Sequence, residues 1–187
     1  DSTVDIQMTL LFVDDFPSFL ELAERYFETS EHSFTVRTCE DPEKALEIVE
    51  EDDIDCIVSD YQMAEMNGLK LLQKVRQREP DMPFLLLTSK GSEEVASEAI
   101  TKGATDYINK GGSDKYELVA QRAKNAVLRA RKDKELNKRL RQQQVTAELG
   151  QKALGDVDLD CLMHEASKYV AEVLDNDYCK VLDIQPD

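Results

Sequence analysis

Three short apolar runs each end abruptly in a polar residue: Leu10-Leu11-Phe12-Val13 runs into Asp14-Asp15, Cys56-Ile57-Val58-Ser59 into Asp60, and Phe84-Leu85-Leu86-Leu87 into Thr88. Five such runs alternate with helical stretches from residue 9 to about residue 113, a pattern that predicts a doubly wound, five-stranded parallel α/β sheet. Ligands of open sheets of this kind bind at the carboxyl ends of the strands, so three acids are expected to meet at one edge. Such a cluster repels itself at neutral pH and calls for a cation, and a set of oxygen donors suits Mg²⁺. Lys110, after the short run at Tyr107-Ile108, adds the opposite charge. The edge reads as a place to handle a phosphoryl group.

The helices between these runs have their own signals. The first is expected from near Phe16 to about Ser30, with Phe19, Leu22, Ala23, Tyr26 and Phe27 on its apolar face. Asp41-Pro42 reads as an N-cap followed by proline at the first helical position, opening a helix through Ala45, Leu46 and Val49. After Asn67-Gly68, the apolar positions Leu69, Leu71, Leu72 and Val75 drive a third helix toward Arg78. Ser92 is placed to cap a fourth, carrying Val95, Ala96, Ala99 and Ile100 and closed by Gly103, and Asp114 to cap a fifth. No Gly or Pro interrupts the stretch from Tyr116 to Leu149. Its first part can pack on the sheet. Past Arg129 the apolar residues thin to Leu136, Leu140, Val145 and Leu149, which leaves a coiled coil with a second copy and a solvated charged linker both open.

The net charge of −16 argues against direct nucleic-acid binding, because phosphate backbones are held by clustered Lys and Arg. Cys39, Cys56, Cys161 and Cys179 show no CxxC spacing and are expected to be reduced packing residues. No apolar run reaches the length of a membrane span and no signal peptide opens the chain, so no membrane contact and a cytoplasmic location are expected.

Four ordered motifs, LLFVDD, VSDYQMAEMNG, LLLTS and DYINK, give residues 9–128 a specific resemblance to the receiver domain of two-component response regulators. The resemblance implies a flavodoxin-like fold and a phosphorelay in which a histidine kinase or phosphotransfer protein passes a phosphoryl group to one aspartate, here Asp60. It also implies a Mg²⁺ ligated by Asp15, Asp60 and the backbone carbonyl of Gln62, with Asp14 acting through water. Thr88 and Lys110 would contact phosphoryl oxygens. Thr88 and Tyr107 would form a switch that alters the surface made by the fourth helix, fifth strand and fifth helix, a face that commonly dimerises or meets a partner. Two positions depart from the family pattern. Ala64 follows Met63 where most receivers have proline, and Gly111-Gly112 follows Lys110 where proline is usual, so a more flexible turn after Lys110 is expected.

The expected organisation is an N-terminal tail over 1–8, a receiver over 9–128, a helical linker over 129–149, and over 150–187 the opening of a GAF-like sensory module, with a PAS module as the competing reading. The parent would be a sensor kinase or a regulator with a downstream output domain. A receiver that keeps the fold without taking phosphate is one alternative. A haloacid-dehalogenase-type phosphatase is another, because it too uses a strand-end aspartate and Mg²⁺. That class requires an acid two residues after the nucleophile, where Phe16 follows Asp14.

Overall fold

The apolar runs form the strands. In the computed structural model, which describes residues 7–30, 34–89 and 93–153 together with 164, 167 and 168, the chain runs β1 (Met8–Val13), α1 (Pro17–Thr29), β2 (Phe34–Cys39), α2 (Pro42–Glu51), β3 (Cys56–Asp60), α3 (Gly68–Arg78), β4 (Phe84–Thr88), α4 (Glu93–Thr101), β5 (Asp106–Asn109) and α5 (Lys115–Ala153). All five strands are parallel, in the order β2-β1-β3-β4-β5. The run pattern predicts the parallel sheet, and the flavodoxin-like arrangement is the one the resemblance implies.

Alternate residues of the central strands point to opposite faces, and each face has its own core. Leu11, Val13, Ile57 and Leu86 pack with Leu46 and Val49 of α2, Leu69, Leu72 and Val75 of α3, and Ala99 of α4. Leu10, Phe12, Val58, Leu85 and Ile108 pack with Leu20, Ala23 and Phe27 of α1 and with Val119, Ala123 and Val127 of α5. Each large apolar side chain fully removed from water in these layers contributes roughly 2 kcal/mol.

Two expected core residues lie outside. Leu22 is 52% exposed and Ile100 is 55% exposed. At about 100° per residue, Leu22 lies about 200° around α1 from Leu20, which heads the buried stripe, and Ile100 is one position beyond the buried Ala99. Local signals otherwise act as expected. Asp41 accepts from the N–H groups of Glu43 and Lys44 at the start of α2, and Gly103 takes φ +91° after α4, a conformation that costs a side chain about 1 kcal/mol or more. Asp114 contributes its backbone carbonyl, which accepts from Leu118 N–H. Ser92 lies outside the described residues.

The long helix passes through Gly150 and is described as far as Ala153. Glycine costs an exposed helix only about 1 kcal/mol, and a Cβ at Gly150 would meet nothing within 4 Å, so no neighbour forces a stop there. Among the described residues, those up to Ala130 belong to one compact unit and those from Arg131 onward to another. Leu136 and Leu140 are exposed. Cys39 and Cys56 are buried free thiols. The calls on Cys161, Cys179 and the helix and strand beyond residue 153 fall outside the described residues. Among the described residues, no helix is long and apolar enough to cross a membrane.

Candidate functional site

Strand register assembles the site. Val13 pairs with Ser59, Asp60 with Leu87, and Thr88 with Asn109, so Asp14, Asp60, Thr88 and Lys110 follow one another across the carboxyl edge. The edge includes the switch point where the chain leaves β1 for β2 on one side and β3 on the other. Backbone hydrogen bonds from the outer loops to β4 hold the ends of the strands together: Tyr61 N–H donates to Leu87 O at 2.7 Å and Lys110 N–H to Thr88 O at 2.8 Å. Gly68 is required by close approach, because a Cβ there would lie 2.3 Å from the backbone oxygen of Asp60.

Asp14, Asp15 and Asp60 each present a carboxylate oxygen within 4.8 Å of the others. Asp14 is 1% exposed and Asp60 5%. At an effective dielectric of about 20, two unit charges at that separation repel by roughly 3 kcal/mol. Lys110 offsets part of this: its ammonium donates to Asp14 Oδ2 at 2.5 Å and lies 2.8 Å from Asp60 Oδ1. Burial pushes the Asp60 carboxyl above its ordinary pKa, the hydrogen bond and charge of Lys110 pull it down, and the Asp14 charge adds to the rise.

The other oxygens show what the cluster lacks. Asp14 Oδ1 accepts from Phe16 N–H at 3.0 Å, and Asp15 Oδ2 from Ala64 N–H at 2.8 Å. Asp15 Oδ1 is buried without a hydrogen-bond partner, an expensive state for a carboxylate oxygen. Three carboxylates and one ammonium leave two uncompensated negative charges around an orphaned oxygen. A divalent cation with oxygen preference matches that donor set in charge and chemistry, so the residues fit Mg²⁺.

Thr88 is buried at the end of β4. Tyr107, on β5, is half-buried and packs against the core shared with α2 and α3. Gln62 is exposed in the loop directly after Tyr61. Two participants were not assigned their roles from the sequence. The Ala64 N–H is a backbone donor that any residue except proline supplies, so alanine in place of the usual proline was the available signal. Phe19, read from the sequence as an apolar-face residue, places its ring centroid 4.4 Å from Lys110 Nζ.

A model of the response regulator receiver domain matches residues 10–123. The chain is 36% identical over 129 residues to response regulator SaeR of Staphylococcus epidermidis, covering 69% of this chain and 54% of the relative. For SaeR of Staphylococcus aureus the figures are 34% over 123 residues, 66% and 52%. The chain thus spans about half the length of these curated relatives. Among solved structures, the chemotaxis response regulator CheY4 of Vibrio cholerae superposes with a TM-score of 0.57 at 26% identity, covering 63% of this chain and 99% of that one. The signal receiver domain of a putative Luxo repressor protein from Vibrio parahaemolyticus gives 0.63 at 21% identity, over 70% and 98%, a likeness of fold.

Proposed function

The chain belongs to the response regulator receiver domain family, and from that premise we propose that Asp60 accepts a phosphoryl group from the phosphohistidine of a kinase or phosphotransfer protein. The observation that carries this reading is the buried carboxylate cluster, bridged by Lys110 on one side and left with the unpartnered Asp15 Oδ1 on the other. In the transfer, an Asp60 oxygen attacks phosphorus in line as the bond to the donor imidazole breaks, and that electron pair leaves with the ring nitrogen. Lys110 shifts from the carboxylates toward a phosphoryl oxygen as a mobile point charge, and the Thr88 hydroxyl donates to another. Asp15, Asp60, the Gln62 carbonyl and, through water, Asp14 would hold a Mg²⁺, which would supply the positive charge that lets a carboxylate approach a phosphoryl dianion. The buried surroundings of Asp60 keep water from competing with the donor.

The switch follows from the same groups. Thr88 moves toward the phosphoryl group and Tyr107 turns into the space released, changing the α4, β5 and α5 face. Phosphorylation shifts that equilibrium only by its difference in contacts between the two states. Pairing of two copies through this face or through α5 and a GAF-like module beyond residue 150 belong to the same proposal, as does action in the cytoplasm. A phosphatase with Asp14 as nucleophile is disfavoured, since Phe16 stands two residues on, where that class requires an acid.

Treatment with acetyl phosphate and Mg²⁺, then tritiated borohydride, which reduces the acyl phosphate to labelled homoserine and releases phosphate, followed by peptide mapping, tests the assignment. Label is expected in the peptide containing Asp60. Label at Asp14 overturns it.

A further inference from the structure

Lys110 is the mobile charge of the proposed transfer. Its backbone N–H donates to Thr88 O at 2.8 Å and the N–H of Gly111 to Asn109 Oδ1 at 2.8 Å, so the backbone is tied and the side chain's own contacts place the ammonium. Its ammonium has three described contacts: Asp14 Oδ2, Asp60 Oδ1 and the ring of Phe19. The two carboxylates are the groups that a metal ion and a phosphoryl group engage. The ring is the contact that the reaction does not consume.

The ring is itself firmly held. Its centroid lies 5.4 Å from that of Tyr116, and Tyr116 OH donates to the backbone carbonyl of Phe19 at 3.1 Å. Tyr116 stacks on Tyr26 at 5.5 Å, and Tyr26 OH donates to Glu117 Oε2 at 2.6 Å. This links α1 to the first turn of α5 beneath Lys110. A cation over an aromatic face within about 6 Å is attracted by the ring quadrupole, and more strongly where it is partly desolvated. Lys110 meets that condition, with its side chain 15% exposed. Lys115 lies farther from the same ring, at 6.0 Å.

We propose that Phe19 is a positioning residue for phosphoryl transfer: its ring, clamped by Tyr116, holds the Lys110 ammonium at the site while Asp14 and Asp60 are engaged by metal and phosphoryl group. This rests on the phosphoacceptor reading. A residue that merely fills the margin of the core depends on its volume. A positioning ring depends on its electrons.

The test uses the full chain with Phe19→Leu, Phe19→Tyr and pentafluorophenylalanine at position 19, which keeps the ring while reversing its quadrupole. Thermal melts confirm that each variant is folded. With saturating Mg²⁺ and acetyl phosphate, the phosphorylation rate is expected to fall about fivefold for Phe19→Leu and for the fluorinated ring, and to stay within about twofold for Phe19→Tyr. In NMR spectra without Mg²⁺, the Lys110 side-chain methylene protons next to the ammonium are expected upfield from the ring current, and this shift is lost in Phe19→Leu. A fluorinated variant as fast as wild type overturns the electronic role, and unshifted methylenes in wild type overturn the contact. If wild type takes no phosphoryl group, the phosphoacceptor reading and the positioning role of Phe19 fall together. A labelled wild type whose Phe19→Leu variant keeps the full rate overturns the Phe19 role alone.

Discussion

Replacing Asp60 with Asn is expected to stabilise the fold in the absence of divalent cations. The carboxylate sits 5% exposed among two others whose oxygens lie within 4.8 Å. Neutralising it removes two repulsions of roughly 3 kcal/mol each and an attraction to Lys110, 2.8 Å away, of roughly 6 kcal/mol, all at an effective dielectric of about 20. These Coulomb changes nearly cancel. The desolvation of a buried carboxylate remains, and its relief is worth a few kcal/mol. Asn Oδ1 still accepts from Lys110, so a net gain of about 2 kcal/mol is expected, or about 8 °C in Tm for a domain of this size. The pH dependence follows from the raised Asp60 pKa. Between the ordinary aspartate value of about 3.9 and the higher folded value, the folded wild type binds more protons than the unfolded chain, so its stability falls as pH rises through that window. The advantage of Asp60→Asn therefore grows upward from about pH 4 and levels off above the folded pKa of Asp60. Circular-dichroism melts in EDTA across that range measure it. A variant melting below wild type at pH 7 in EDTA would refute the electrostatic account of the site.

Other substitutions probe separate parts of the arrangement. Asp15→Asn replaces a carboxylate whose Oδ1 lacks a partner, so it should weaken Mg²⁺ binding at least about tenfold while leaving the metal-free Tm within a few degrees; titration followed by Tm or tyrosine fluorescence reads both. Lys110→Met leaves Asp14 and Asp60 buried without their shared cation and is expected to cost about 3 kcal/mol in EDTA, measured by urea unfolding, with much of the loss recovered on adding Mg²⁺. Gly68→Ala drives a Cβ to 2.3 Å from Asp60 O and 2.6 Å from Leu86 Cδ1 and should cost about 3 kcal/mol in the same assay. If the helix past Ala130 pairs, sedimentation equilibrium of the full chain should give twice the monomer mass while residues 1–128 remain monomeric; a monomeric full chain contradicts pairing.

What was legible in the sequence was mostly what chain-local chemistry decides. The strand runs name their own elements because a strand covered on both faces needs no alternation, and Asp41-Pro42 announces α2 through a cap and a fixed φ. The acids gather as the run endings suggest, since a parallel sheet aligns its carboxyl ends. What stayed hidden depends on tertiary neighbours. Leu22 and Leu20 are equally apolar, and only the packed orientation of α1 shows which is buried. Asp15 is held by the backbone N–H of Ala64; the missing proline was visible, but not which acceptor the freed N–H would meet. Phe19 was visible as an apolar residue, but its contact with Lys110, 91 positions later, arises from the packing of α1 beside α5. Gly150 looked like a helix end because glycine often stands at one, yet nothing packs there to turn the chain.

Whether Asp60 takes a phosphoryl group in a Mg²⁺-dependent reaction is read from intact mass after incubation with acetyl phosphate. Wild type should gain one phosphoryl mass with Mg²⁺ and none in EDTA, and Asp60→Asn should gain none in either. A folded, Mg²⁺-binding wild type that gains no mass, or an Asp60→Asn variant labelled to the wild-type extent, would contradict the account.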